Sequence, residues 1–341
     1  PQYALPGPLF RHLVARFGAW PDHALPDVAR IEQMIDITTQ YVLAERDPAV
    51  TLIWSSEPDN SQHGSPLNSP TVHQAVHAAD AGFGRLLAWL EENDRASDTN
   101  VIVTCDHGHT TVSAVIPVAE LLAEVGFPRP GEPGGIVVAN NGGAALFYIQ
   151  GHDAEIADRL AEWLVAQPWA GPLLAADRFD RIRGTLPPSL VGLDGPRGPD
   201  LALSFAWNER VNEHGAVGHS FVAGGPIGQG QHGSMSPQEL RTFTVARGPD
   251  FKANVSIPSV TGHPDLAPTI LRTLGITPPP HMDGRVIEEA LADGDPTSDM
   301  TTSDRVASRT VTGGTYMQRL TVAPATRGSH LLWADARFVR G

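Results

Sequence analysis

The chain has 341 residues, with 24 Lys and Arg against 38 Asp and Glu and a formal net charge of −14. This acidic balance argues against a nucleic-acid backbone as the main partner. A chain of this length can bury the core of one large domain or two modest ones, and its single cysteine, Cys105, leaves no internal disulfide to form.

Membrane and targeting segments are not visible in the sequence. No run of about 18 apolar residues is present, so no transmembrane helix is predicted. No signal peptide is visible in these residues, and residues 1–10 (PQYALPGPLF) lack an initiator methionine, so we expect the natural N-terminus to lie upstream. Localisation and oligomeric state therefore stay unassigned.

Predicted strands and helices alternate in the first third of the chain. Apolar residues at helical spacing predict an amphipathic helix over 26–45, with Asp27 as its cap. Residues 49–60 (AVTLIWSSEPDN) predict a buried strand that runs into a polar loop, and 69–93 predict a long helix. The stretch 101–110 (VIVTCDHGHT) begins as a further strand. This order predicts an α/β fold with a mostly parallel central sheet and helices on both faces.

The later elements are shorter and are separated by proline and glycine clusters. A small inserted α+β region is predicted over about 112–215, with strands at 144–149, 172–177 and 200–207 and a helix at 153–167. A glycine-rich loop (223–236), a strand (242–249) and a helix capped by Asp265 (265–275) follow. We predict one main domain over 1–292, then a polar linker and a strand-like C-terminal tail over 293–341.

Three polar phrases carry the chemistry: EPDNSQHG (57–64), CDHGH (105–109) and GQHGSMSP (230–237). Asp59 and His63 follow one predicted strand, and Asp106 and His107 follow the next. Because parallel strands end at the same edge of a sheet, these side chains are expected to converge. Imidazole nitrogens and carboxylate oxygens suit Zn²⁺. The residues therefore predict a metal site.

Less specific interpretations exist for each phrase alone. A single Asp-His pair after a strand is commonly a capping aspartate beside a hydrogen-bonded histidine, and His232 lies in a loop that is also compatible with a flexible surface segment. Two such pairs on consecutive strands, followed by the third phrase, favour the metal site.

In this order, the three phrases resemble the alkaline phosphatase superfamily, and within it the nucleotide pyrophosphatase/phosphodiesterase branch. The resemblance covers most of the chain and extends to residues 232–252 and 265–280. It implies a domain with two divalent metal ions, Zn²⁺ first and Mn²⁺ or Fe as alternatives. The matching positions imply that Asp59, His63 and His232 hold one ion, and that Asp106 and His107 hold the second.

The function that this resemblance implies is hydrolysis of phosphate diesters or related phosphoesters in small molecules. Two metal ions clamp the attacking and leaving oxygens, and a Thr or Ser acts as nucleophile. Residues 1–25 contain no Ser or Thr and one aspartate, Asp22, so we expect the family's first strand and nucleophile upstream. No catalytic residue is assigned, because Thr110 and Thr111 follow the ligands instead of opening a helix.

Several alternatives stay open at this point. The chain can be a phosphomonoesterase, phosphonate hydrolase or sulfatase of the same superfamily, or a non-catalytic member that binds metal and phosphate. A plain α/β protein with structural histidines is a further alternative. His109 is expected to line the pocket without binding metal, and His263 is expected to be a loop histidine.

Overall fold

The residues described by the computed structural model are 7–295, 301–326 and 328–340. They fall into two units, Pro1–Thr99 and Asn100–Gly341. Helices make up the first unit and sheets with short helices make up the second. The α/β class predicted from the sequence is confirmed.

The described residues of the first unit form four α-helices: α1 Gly7–Phe17, α2 Val28–Ile37, α3 Asp59–Gly64 and α4 Pro70–Glu92. A π-helical segment, Thr38–Arg46, continues α2. Gly82 lets α4 approach α2 closely, since a Cβ at that position would lie 2.8 Å from the Ile31 Cγ2 atom. The apolar residues from which the helix over 26–45 was predicted therefore pack on α4, the second predicted helix.

The predicted helices over 26–45 and 69–93 are confirmed, whereas α1 has no counterpart among the predicted elements. Asp27 is the N-cap of α2, but its carboxylate does not cap the helix. Its Oδ1 atom instead accepts a hydrogen bond from the backbone N–H of Ala24, at 2.6 Å. Asp27 therefore occupies the predicted cap position, but its side chain does not act as the cap.

The strand predicted over 49–60 is wrong. Residues 51–56 form no strand, and Leu52 and Trp54 are 84% and 69% exposed. An apolar run becomes a strand only where a neighbouring strand completes its hydrogen bonds, and no strand pairs with this segment in the described residues. The polar end of the prediction becomes α3 instead of a loop.

Thirteen strands are found in the described part of the second unit: β1 Val101–Thr104, β2 Thr110–Val115, β3 Ile136–Asn141, β4 Ala144–Ile149, β5 Ala170–Ala175, β6 Leu201–Phe205, β7 Trp207–Val211, β8 Val217–Val222, β9 Gly230–Gln231, β10 Thr244–Arg247, β11 Ser303–Val311, β12 Gly314–Pro324 and β13 Ser329–Arg340. The α-helices are α5 Val118–Glu124, α6 Ala154–Val165, α7 Pro237–Leu240 and α8 Leu266–Thr273.

The strands form four sheets, in the orders β1-β10, β7-β8-β2-β9, β3-β4-β6-β5 and β11-β12-β13. Among the described strand pairs, β2 and β8 alone run parallel. The mostly parallel sheet is thus confirmed only in part. Strand β1 pairs antiparallel with β10, not with the segment at 49–60, and short connections join β3 to β4 and β11 to β12 to β13 as antiparallel neighbours.

Strand β6 explains how the core of this unit is built. All of its residues are buried, and successive side chains point to opposite faces. Leu201 and Leu203 belong to the large core that includes Leu160 of α6, whereas Ala202 packs in a smaller cluster with Leu320 of β12. A sheet covered on both faces needs this continuous apolar run, which is why the strand was predictable.

The C-terminal strands are part of the second unit. Strand β11 lies inside the segment predicted as the start of a polar linker, of which residues 296–300 lie outside the described residues. The domain boundary predicted at 292/293 stays a prediction. In the part of the chain that the structure describes, no helix has the length and apolar character needed to span a membrane.

Candidate functional site

Helix α3 brings together the first predicted pair of ligands. Asp59 lies in its first turn and His63 follows four residues later, so both side chains lie on one face. The His63 Nε2 atom is 3.4 Å from the Asp59 Oδ1 atom, and each side chain is about one third exposed (32% and 37%). One nitrogen and one oxygen donor are therefore presented side by side, which suits a divalent transition metal.

The buried carboxylate of Glu57 fixes the start of α3. Its Oε1 atom accepts hydrogen bonds from the Asp27 backbone N–H at 2.9 Å and from the Ser61 hydroxyl at 3.1 Å. Its Oε2 atom accepts one from the Ser61 backbone N–H at 3.1 Å. With 3% exposure and three donors around it, Glu57 positions the helix that carries Asp59 and His63.

Asp27 adds a second buried carboxylate to this network. It accepts hydrogen bonds from the Asn60 amide and the Arg30 guanidinium, at 3.3 and 3.2 Å, and its Oδ2 atom lies 2.8 Å from His23 Nδ1. Burial pushes the pKa of the Asp27 carboxyl upward, but the Ala24 N–H, His23 and Arg30 together hold that pKa below its usual range. Asp27 therefore stays ionised and links α2 to α3.

In the second unit, the turn between β1 and β2 carries Asp106 and His107. The Asp106 Oδ1 atom accepts a hydrogen bond from the His107 backbone N–H at 3.1 Å, and its Oδ2 atom lies 3.4 Å from His107 Nε2. The aspartate side chain is 49% exposed, and the histidine side chain is 25% exposed. Both predicted ligands are thus partly exposed side chains of this turn.

Three imidazole rings meet in this unit. His107 and His232 are stacked, with ring centroids 3.6 Å apart, and His109 stands edge-on to His232 at 5.4 Å. Ligand nitrogens of His109 and His232 lie within 4.8 Å of each other. His109 was expected only to line the pocket, yet its ring is as well placed as those of the predicted ligands. In the sequence, the signal was that His109 lies two residues after His107, within the same short connection between β1 and β2.

Glu239 of α7 ties the His232 loop to strand β2. Its Oε1 atom accepts hydrogen bonds from the hydroxyls of Thr110 and Ser234, and its Oε2 atom accepts one from the Ser234 backbone N–H, each at 2.6 Å. Burial raises the pKa of the Glu239 carboxyl, and the hydrogen bonds from Ser234 and Thr110 oppose that rise. The contacts place His232 beside the strand that begins just after His109.

Gly108 is required by a close backbone approach. Its N–H donates a hydrogen bond to the Glu239 carbonyl at 2.7 Å, and a Cβ at this position would lie 2.1 Å from the carbonyl oxygen of Gln238. No side chain fits there without movement of the backbone. The glycine therefore lets the turn with the two histidines lie directly on α7.

His263 supports the same turn from the other side. Its Nε2 atom lies 2.7 Å from the backbone oxygen of Cys105, the residue before Asp106. The buried carboxylate of Asp265 accepts hydrogen bonds from the N–H groups of Gly262 and Arg285, which fixes the segment that carries His263. The expected loop histidine is therefore a contact of the site turn.

Thr110 and Thr111 are fully buried parts of β2. The Thr110 hydroxyl is engaged with Glu239 and lies 2.7 Å from the Ser220 hydroxyl, and Thr111 is 3% exposed. Both threonines are therefore packed in the strand and hydrogen-bonded there. The structure thus places Asp59 with His63 on α3, and Asp106, His107, His109 and His232 together in the second unit.

Comparisons with known structures agree with this fold. Murine ectonucleotide pyrophosphatase/phosphodiesterase 5 (ENPP5, NPP5) aligns at 18% identity over 80% of this chain and 65% of its own, with a TM-score of 0.51. The human protein aligns at 17% identity over 80% and 64%, with a TM-score of 0.51. An AMP complex of an inactive form of the murine protein aligns at 19% over 76% and 61%, with a TM-score of 0.49.

The chain spans just under two thirds of those solved chains, 65% and 64% for the first two. Among curated protein sequences, none gives a significant match. The profile of the type I phosphodiesterase/nucleotide pyrophosphatase family matches residues 10–208, which is more than half of the chain. The protein therefore belongs to the type I phosphodiesterase/nucleotide pyrophosphatase family.

Proposed function

We propose that this protein is a metal-dependent phosphoesterase that hydrolyses phosphate diesters or pyrophosphates of small molecules. The observation that carries the proposal is the meeting of His107, His109 and His232 beside Asp106, in a chain of this family. Histidines packed only for stability have no reason to gather three rings beside a half-exposed carboxylate.

We further propose that the site holds two divalent ions. We propose that Asp59, His63 and His232 hold one ion and that Asp106 and His107 hold the second, with His109 available as a further ligand. Mixed nitrogen and oxygen donors favour Zn²⁺, with Mn²⁺ or Fe as alternatives. When bound, such ions polarise phosphoryl oxygens and neutralise their negative charge.

The residues of this chain supply position and charge. Asp59 and Asp106 contribute anionic donors, and the histidines contribute neutral ones that keep a shared site from becoming strongly negative. Glu57 and Glu239 hold the ligand segments in place through buried hydrogen bonds. Rigid support of this kind is what orients ligands in a metal centre.

A metal titration combined with a diester assay tests the proposal. The full chain, purified without chelator and reconstituted with Zn²⁺, is analysed for bound metal and for hydrolysis of bis(p-nitrophenyl) phosphate. We expect tightly bound zinc, and we expect zinc-dependent release of p-nitrophenol only from a protein that also carries the family's Thr or Ser nucleophile, which is not assigned in these 341 residues. His232→Ala is expected to lose at least half of the metal, whereas His73→Ala on the exposed face of α4 is expected to lose none.

Two results contradict the proposal in different ways. Absence of bound metal after zinc reconstitution refutes the metal site itself. Tight zinc binding that depends on His232, without phosphodiester hydrolysis by a protein that also carries the family's Thr or Ser nucleophile, refutes the enzyme and leaves a protein that binds metal and phosphate without cleaving it.

A further inference from the structure

The imidazole of His330 on strand β13 lies in the interior of the second unit. The residue is 7% exposed, and its Nε2 atom lies 3.2 Å from the Oδ2 atom of Asp265, whose side chain is fully buried. Burial pushes the pKa of the Asp265 carboxyl upward, but His330 and two backbone N–H groups hold that pKa below its usual range. The ionised carboxylate therefore attracts the imidazole N–H.

The same ring packs on the backbone of the segment 262–265. A Cβ at Gly262 would lie 2.5 Å from the His330 Nδ1 atom, so the ring fills the space that any larger residue there would need. Gly262 also donates its backbone N–H to Asp265 Oδ2 at 2.9 Å. His330 therefore fixes this segment through both an electrostatic contact and direct packing.

His263 connects the segment 262–265 to the turn with two of the predicted metal ligands. Its Nε2 atom lies 2.7 Å from the Cys105 carbonyl oxygen. Because a carbonyl oxygen can only accept a hydrogen bond, the His263 Nε2 atom is the donor. Cys105 directly precedes Asp106. His330 is therefore connected, through the segment that carries His263, to the backbone beside Asp106.

Strand β13 also contacts the loop that carries His232. The Ala334 backbone N–H donates a hydrogen bond to the Met235 carbonyl at 2.9 Å, and Met235 packs in the small apolar cluster that includes Ala334. Trp207 of β7 donates its indole N–H to the Ala334 carbonyl at 2.8 Å. Met235 lies three residues after His232. Residues 330–334 of one strand therefore contact two segments that adjoin predicted ligands.

We propose that His330 is a positioning residue of the metal centre, because β13 fixes the turn with Asp106 relative to the loop with His232. The inference rests on the proposed metal site, whose affinity depends on how the ligand atoms are spaced. Replacing a group that orients metal ligands typically changes metal affinity by about 10–100-fold. His330 acts on the ligands through other residues, so we expect an effect at the lower end of this range.

Hydrogen exchange of the metal-free full chain tests the positioning role independently of zinc. His330→Phe keeps a ring of similar size but loses the electrostatic contact with Asp265. Peptides over 105–109 and 230–235 are expected to exchange about five- to tenfold faster in this variant, because one buried polar contact is lost. Gly262→Ala displaces the ring without removing it and is expected to have the same effect.

Two further variants serve as comparisons. His330→Gln keeps an N–H for the Asp265 carboxylate and is expected to recover part of the lost protection. Tyr316→Phe is the matched control, because it removes one buried hydrogen bond from the same sheet, to the Gly171 carbonyl of β5 at 2.8 Å. It is expected to leave the exchange of both ligand segments unchanged.

Zinc affinity, measured by competition with a chromogenic chelator, gives the second readout. The affinity is expected to fall about tenfold in His330→Phe and Gly262→Ala and to stay unchanged in Tyr316→Phe. Faster exchange of both ligand segments together with weaker zinc binding supports the positioning role.

Four outcomes contradict this role. Unchanged exchange of both ligand segments in His330→Phe and Gly262→Ala means that β13 does not fix them. Equal acceleration in Tyr316→Phe means that the effect is a general loss of stability. Unchanged zinc affinity in His330→Phe refutes the role and leaves the metal centre intact. Absence of zinc binding by the unaltered chain refutes the metal centre and this role with it.

Discussion

Replacing Glu239 distinguishes a scaffold carboxylate from a metal ligand. In Glu239→Ala, the Ser234 backbone N–H loses the acceptor that it reaches at 2.6 Å, in a region where Ser234 is 4% exposed. An orphaned buried donor costs about 1–3 kcal/mol. Truncation of a fully packed side chain adds a cavity term of about 1–2 kcal/mol. We expect the free energy of unfolding to fall by about 4 kcal/mol.

Glu239→Gln is the informative partner. Two of the three donors to this carboxylate are hydroxyls, on Thr110 and Ser234, and a hydroxyl can accept a hydrogen bond as well as donate one. The amide nitrogen can therefore face both hydroxyls, while the amide oxygen accepts from the Ser234 N–H. The expected loss is about 1 kcal/mol, because the buried Ser234 N–H keeps its acceptor and the packed volume is unchanged.

Denaturant titration measures both variants, and hydrogen exchange of the peptides around residues 105–112 and 230–240 measures local loosening. Glu209→Ala on the exposed strand β7 serves as control and is expected to change stability by less than about 0.5 kcal/mol. If Glu239→Gln destabilises the protein as much as Glu239→Ala, the hydroxyls of Thr110 and Ser234 do not accept hydrogen bonds from the new amide, and the prediction is refuted.

Two further predictions concern the site turn and acid stability. Gly108→Ala is expected to destabilise the protein by about 2–3 kcal/mol, because the new Cβ meets the Gln238 carbonyl oxygen. The control, Gly84→Ala, lies in open space on α4 and is expected to be neutral or stabilising. Thermal unfolding compares the two variants, and equal unfolding midpoints would contradict the clash at Gly108. The Arg285 guanidinium lowers the pKa of Glu289 from 4.5 to about 2, so its contribution is complete above pH 4.5 and is lost as the pH falls toward 2. Glu289→Gln is expected to flatten that part of the stability profile by about 2 kcal/mol, and an unchanged acid slope would contradict it.

Hydrophobic periodicity predicted the elements whose environment is local or uniform. The helix over 69–93 shows its buried stripe in its own sequence, and the fully buried strand β6 shows a continuous apolar run. The strand predicted over residues 49–60 was wrong because a strand forms only where a second segment pairs with it. Leu52 and Trp54 have strand-forming neighbours in sequence, yet they remain exposed. Helix α1 was not among the predicted elements, because prolines precede it and lie in its first turn.

The sequence predicted the polar residues of the candidate site, but it did not predict the contacts that hold them in place. The sequence shows His232 beside glycine, but it does not show that Glu239 reaches Thr110, 129 positions away. Such contacts depend on how β2 and α7 pack, which no local pattern encodes. His109 was not predicted as a ligand for a related reason. Its ring contact with His232 arises from the turn between β1 and β2 and not from either phrase alone.

Burial sorts the acidic residues near the predicted ligands into two roles. Glu57 and Glu239 are 3% and 2% exposed, and each accepts three hydrogen bonds from backbone or hydroxyl donors. Asp59 and Asp106 are 37% and 49% exposed. A carboxylate saturated by donors cannot turn to a cation without breaking buried bonds, so the aspartates are the ligands and the glutamates hold the segments that carry them. Because each glutamate lies within the unit that it supports, each ligand segment is ordered by its own unit.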